Sequence, residues 1–159
     1  MVGWRYLRTM STTAPIETCI HNWHRHMRGD LPGGLDSILH EDCTFLSPIV
    51  FTPQQGREVT KLYLTAAGGT LGGNDADVAA AVISPSSDGG FRYVKEILQG
   101  NHAMLEFETT VEGKYANGVD IITCDDHGMI TEFKVMMRPL QAINAVHAQM
   151  QKMLEQLAD

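Results

Sequence analysis

The hydrophobic period of this chain changes from helical to alternating as it is read from end to end. Behind Pro15, the apolar residues Ile16, Ile20, Trp23 and Met27 recur at helical spacing and stop at Arg28-Gly29, which predicts a first helix. Asp30 can cap a second, shorter helix carrying Leu31, Leu35, Ile38 and Leu39, although Gly33-Gly34 weakens it. Cys43 to Ser47 reads as a strand ended by Pro48. Val59, Leu62, Tyr63 and Ala66 mark a third helix from near Gly56 to Gly68-Gly69. Gly68 to Gly73 carries no phosphate-loop lysine and reads as a flexible loop able to cover a pocket. A short strand near Val78 to Ile83 and a surface loop from Ser84 to Gly90 follow.

From Phe91 onward alternation takes over. Phe91 to Leu98, His102 to Val111, Tyr115 to Cys124 and Met129 to Met137 are predicted as strands joined by short turns. Glu112-Gly113 reads as a two-residue hairpin turn, so Val111 opposes Lys114 and Leu105 opposes Asp120. Asp125 to Gly128 reads as a hairpin loop, which sets Cys124 against Met129 and Asp120 against Phe133. Asn117-Gly118 would pair strands of very unequal length as a turn and is read as a bulge instead. Pro139 opens a last amphipathic helix with Leu140, Ile143, Val146, Met150, Met153 and Leu157 on one stripe. This order predicts an α+β domain: a strongly bent, cone-shaped antiparallel sheet with helices packed on its concave face. The mouth of such a cone is a natural ligand site.

Opposed residues share a face of a sheet, as do residues two apart on one strand. One face therefore carries Asp120 with Leu105, Phe107, Ile122, Phe133, Val135 and Met137. The other carries Met104, Glu106, Glu108, Val119, Ile121, Glu132, Lys134 and Met136. Asp120 is thus a lone acid on an apolar wall, where a carboxyl either keeps its proton or finds a partner. Burial there raises its pKa, and a neutral Asp120 facing the cavity would donate a hydrogen bond to a carbonyl or enolate oxygen. The competing reading is a structural acid bonded to a core tyrosine, tryptophan or backbone group. Trp23 and Tyr63 lie on helices expected to lean toward the cone and are candidate wall residues.

Composition narrows the partners. A length of 159 residues suits one domain, with residues 1–11 expected as a disordered extension and 12–159 as the domain. A net charge of -7 would repel a nucleic-acid backbone, and no apolar run approaches a membrane-crossing length. Cys19, Cys43 and Cys124 are odd in number, form no CxxC pair and lie in apolar stretches. Buried free thiols in a reducing, cytoplasmic compartment fit them. His21 and His24 lie one turn apart without a third ligand, so no metal is expected, and no cofactor motif is present. Val119, Ile121, Met104, Ile130 and Met136 would leave an apolar patch in water on the outer face, which predicts a homodimer through that surface.

The run Val119-Asp-Ile-Ile-Thr-Cys-Asp-Asp-His-Gly-Met-Ile130, with Asp42-Cys-Thr-Phe-Leu-Ser-Pro48 and Gly56-Arg-Glu58 before it, resembles the nuclear transport factor 2-like superfamily. Within it, the likeness is to the ketosteroid isomerase-like and polyketide-cyclase-like (SnoaL-like) branches. The resemblance implies a cystatin-like cone that binds a small hydrophobic molecule. It also implies that Asp120 stands where the isomerases hold a neutral oxyanion-hole acid, a carboxyl kept protonated by its apolar site so that it can donate a hydrogen bond. It places Ser47, before Pro48, at the isomerases' base position, and a serine hydroxyl is no unaided base near neutral pH. Their oxyanion-hole tyrosine aligns near Asn22, beside Trp23. The epoxide-hydrolase branch needs an arginine where Gly118 stands and a second acid where Phe133, Val135 and Met137 stand. The cyclases' histidine finds no match, because His102 falls on the opposite face from Asp120. The expected functions are therefore an isomerase- or lyase/cyclase-type enzyme on a polyketide-, steroid- or terpene-like carbonyl compound, or a non-catalytic ligand-binding or assembly module with a structural Asp120.

Overall fold

In a computed structural model the residues described are 13–71 and 90–157. The expected extension at residues 1–11, the strand near Val78 to Ile83 and nearly all of the loop before Gly90 lie outside them. The elements are α1 (Pro15–Met27), a single 3-10 turn (Gly34–Ser37), β1 (Leu39–Leu46), β2 (Gln54–Gln55) and α2 (Arg57–Leu71). They continue with β3 (Arg92–Gln99), β4 (His102–Val111), β5 (Lys114–Cys124), β6 (Ile130–Arg138) and, as α3, the helix Leu140–Leu157. The strands form one curved, unclosed sheet in the order β2-β1-β6-β5-β4-β3. The pairings are antiparallel except β1 with β6, which run parallel, so the sheet is mixed rather than wholly antiparallel.

The β4–β5 hairpin follows its turn chemistry. Glu112 and Gly113 both take positive φ, 50° and 73°, as a turn matched to strand twist requires. Val111 then opposes Lys114 and Leu105 opposes Asp120. The β5–β6 register differs from expectation, because Asp125 Oδ1 accepts the backbone N–H groups of His127 and Met129 and lengthens the loop. Cys124 therefore opposes Ile130, Thr131 bulges out between Ile130 and Glu132, and Asp120 opposes Val135 rather than Phe133. Two added residues restore the pleat from Glu132 onward, so the face assignments there survive. Ile130, expected in the outer apolar patch, instead opposes Cys124 and is buried at 0% exposure, because the bulge at Thr131 comes after it.

Three other expectations need correction. Asn117-Gly118 is no bulge: both pair in register with β4 and with β6. Gly118 is required because a Cβ there would drive into the Phe107 ring and lie 2.8 Å from the Met136 carbonyl oxygen. The second helix is only a 3-10 turn, and Leu39 already belongs to β1, which starts earlier than Cys43. Finally, α2 runs through Gly68 and Gly69 to Leu71, so these glycines form no loop. Gly69 lets Met153 of α3 press against the α2 backbone, where any Cβ would collide with the Met153 side chain.

The helices cover the inner face of the sheet in two clusters. Ile16, Cys19, Ile20 and Trp23 of α1 pack on Leu105, Ile122 and Phe133. At the other end, Ala142, Ala145, Val146 and Met150 of α3 meet Ala66 of α2 with Val111 and Ala116. Leu140, placed on the apolar stripe by spacing, is 71% exposed because the contact begins at Ala142. Cys19, Cys43 and Cys124 are buried free thiols. No helix among the described residues is long and apolar enough to cross a membrane.

Candidate functional site

Between the two clusters the inner face opens into a cavity of about 390 Å³. Phe107, Asp120, Phe133, Val135 and Met137 reach it from the sheet, and Trp23 reaches it from α1. Leu64 and Leu71 of α2, Val146 and Met150 of α3, and Phe45 of β1 complete its apolar walls. The rings make a nearly continuous belt: Phe45 lies 6.2 Å from Phe133, Phe133 lies 5.0 Å from Trp23, and Phe91 lies 5.0 Å from Phe107 and 5.1 Å from Tyr93.

Within this belt Asp120 is 6% exposed. The Tyr93 hydroxyl donates to its Oδ2 at 2.6 Å, and Trp23 Nε1 donates to the same hydroxyl at 2.9 Å. Among the described residues no cation approaches the carboxyl. Burial pushes its pKa up to about 7, while the bond from Tyr93 pulls the other way. Tyr93 is in turn pushed well above the phenol range, first by burial and then by the acid beside it. The hydroxyl's one proton is committed to Asp120, and among the described residues Oδ1 of the carboxyl has no hydrogen-bond partner.

The tyrosine is not legible in the alternation. Tyr93 opposes Phe107 on the inner face, yet Lys95, two residues on, opposes Glu106 on the outer face. An extra residue, Val94, is accommodated between them. Plain pleat parity would put Tyr93 and Lys95 on one face, and nothing in the local sequence marks the slip. His26 of α1 is a further polar wall residue that the sequence analysis did not single out. Its ring lies 5.5 Å from Trp23 on the cavity wall, and burial lowers its pKa.

Four expected wall residues lie elsewhere. Leu105 and Ile122 point inward but are sealed under α1, at 0% exposure. Tyr63 stacks near Phe45, with ring centres 5.4 Å apart, and does not line the cavity. Ser47 turns away from the cavity: its Oγ accepts the N–H groups of Ile49 and Val50 and closes the turn after β1. His102 pairs with Thr123 on the outer face, as parity requires. No cluster of three metal-ligating side chains exists among the described residues.

A bent sheet wrapped on helices around an apolar hollow with one acid defines a cystatin-like, cone-shaped α+β protein. Solved structures agree. A steroid delta-isomerase from Pseudomonas aeruginosa is 25% identical, with a TM-score of 0.75 over 94% of this chain and 98% of that one. A cystatin-like-fold protein from Silicibacter pomeroyi is 26% identical, with a TM-score of 0.67 over 84% and 83%. An NTF2-like protein of unknown function from Mesorhizobium loti has a TM-score of 0.55 at 15% identity, over 79% and 92%. No protein-family model and no curated protein matches the sequence. By fold, the chain is similar to nuclear transport factor 2-like and ketosteroid isomerase-like structures.

Proposed function

We propose that the cone binds a small, largely apolar carbonyl compound, with Asp120 donating a hydrogen bond to its oxygen in the manner that stabilises an enol or enolate. The observation that carries this reading is the Asp120 carboxyl opening into an aromatic-walled cavity with Tyr93 on one oxygen and, among the described residues, no partner on the other. Similarity to a protein described as a steroid delta-isomerase supports the ligand class. Asp120, held at about 7, is substantially protonated at neutral pH and can donate. The base position implied by resemblance is closed, because Ser47 is tied into a turn. Neutral His26 on the cavity wall is the group available to accept an α-proton.

The test is thermal stabilisation by hydrophobic ketones. Parent protein should gain more at pH 6 than at pH 8. Asp120→Asn should keep the gain, because its amide still donates. Asp120→Leu should lose it, and equal stabilisation of the Leu variant would show that the acid does not touch ligand. Solvent deuterium entering α to the ketone, abolished by His26→Gln, would report catalysis. The specific support for a purely structural acid is the Trp23–Tyr93–Asp120 chain, which ties α1, β3 and β5 together. That reading predicts stabilisation by no ketone at all.

We also propose that the chain dimerises through the outer face of the sheet. Ile97, Met104, Ile121, Val119 and Met136 form an apolar band there, with Ile97 54% and Met136 55% exposed. The flanking charges pair among themselves, Lys95 with Glu106 and Arg92 with Glu108, so a second copy meets little net charge. A monomer mass by light scattering at micromolar concentration would refute this.

A further inference from the structure

The cavity contains an acid whose hydrogen bonds favour its ionised form. Tyr93 donates to Asp120 Oδ2 while Trp23 donates to the Tyr93 oxygen, and this two-step chain polarises toward negative charge on the carboxylate. Nothing cationic answers that charge from the described elements around it. The titratable and charged groups nearby are few. From α1 come His26, which burial keeps neutral, and Arg28, which pairs with Asp30. His24 of α1 is engaged with Glu96 of β3, and its ring meets the edge of Tyr93. The cavity-lining residues of α2, α3, β1, β4 and β6 carry no titratable group.

What does line the cavity with Asp120 is a set of aromatic rings. Trp23, Phe45, Phe91, Tyr93, Phe107 and Phe133 all line the cavity. Aromatic faces carry negative quadrupoles and attract an organic cation that has shed its water, and an unpaired carboxylate among them completes such a site. The chain's net charge of -7 favours cations in its surroundings.

We propose that the cavity also takes lipophilic ammonium compounds, a tertiary amine as its protonated form or a quaternary amine, with the cationic nitrogen against ionised Asp120 and the aromatic belt. This rests on the reading that the cone binds small molecules through Asp120. It adds that the acid's protonation state selects the ligand: carbonyl compounds engage the acid form and ammonium compounds the carboxylate.

Two matched probes separate the proposals. A naphthyl-substituted trimethylammonium ion has a fixed charge, and a naphthyl ketone of similar size has none. Both are titrated calorimetrically into the intact protein at pH 6 and pH 8. The ammonium probe is expected to bind about tenfold tighter at pH 8, in proportion to the carboxylate fraction, while the ketone binds more weakly there. Asp120→Asn should bind the ammonium probe at least about tenfold more weakly at pH 8 and lose its pH dependence, yet still bind the ketone. Residual pH dependence in that variant would assign the effect to His26 and overturn the role of Asp120. Tyr93→Phe, which removes the donor that favours ionisation, should move the midpoint of ammonium binding to higher pH. Ketone binding without ammonium binding overturns this inference alone. Failure of both probes overturns the ligand-binding reading with it.

Discussion

Two carboxyls on neighbouring strands of this sheet are driven in opposite directions. Glu106 on β4 opposes Val119, and the next residue along β5 is Asp120. Glu106 faces outward, where the Lys95 ammonium 3.0 Å away and a bond from Asn117 hold it below the usual carboxylate range. Asp120 faces inward, where desolvation raises it to about 7 and a neutral phenol offsets only part of the shift. One residue along a pleat decides between a solvated, paired charge and a buried, uncompensated one. On the outer face the charges pair with each other. The inner face keeps one acid for whatever enters the cavity.

The contrast can be tested from its largest consequence downward. Phe133 is 2% exposed between Trp23 and Phe45, so Phe133→Ala should cost about 3–5 kcal/mol in denaturant unfolding and open the aromatic belt. Asp120 should show its burial as pH dependence. Its folded pKa, about 7, lies above the unfolded value near 3.8, so the folded state is free of the penalty below about pH 4. Stability is lost as pH rises through 7. Asp120→Asn should then be more stable than the parent by up to about 4 kcal/mol at pH 8, an advantage that vanishes near pH 4.

Smaller effects sharpen the same comparison. Gly118→Ala puts a methyl group into the Phe107 ring and should cost about 1–3 kcal/mol, read as a lower denaturation midpoint. Glu106→Gln should leave the midpoint unchanged within scatter, because an exposed pair is screened by water. Carboxyl-carbon NMR titration of the parent should find Asp120 well above the ordinary carboxylate range and Glu106 below it. Asp120 and Glu106 titrating together would break the comparison outright.

Legibility in the sequence tracks the range of the forces involved. The hairpin signal Glu112-Gly113 is enough to set Leu105 against Asp120, because two-residue turns with positive φ leave no freedom in register. The Asp125 loop is one residue longer than its four-residue signal implies, since side-chain bonds to His127 and Met129 extend it, and the bulge at Thr131 adds a second residue, so parity is restored from Glu132 onward. The glycines of α2 mislead for a different reason. Propensity argues against Gly68 and Gly69 in a helix, and packing by Met153 overrides it. Of the expected wall residues, the structure places Trp23, Phe107, Phe133, Val135 and Met137 on the cavity, while Leu105 and Ile122 lie beneath α1. Parity names a face, but it does not say which part of that face a helix will cover.

Alternation by itself therefore determined that Asp120 looks inward among apolar side chains, because a strand's geometry repeats every two residues whatever surrounds it. Tertiary structure decided what the acid meets. Tyr93 reaches it from two strands away through a bulge at Val94, Trp23 reaches that tyrosine from α1, and the space left between the two clusters is the cavity. Those outcomes depend on contacts between residues far apart in the chain, and no local period encodes them.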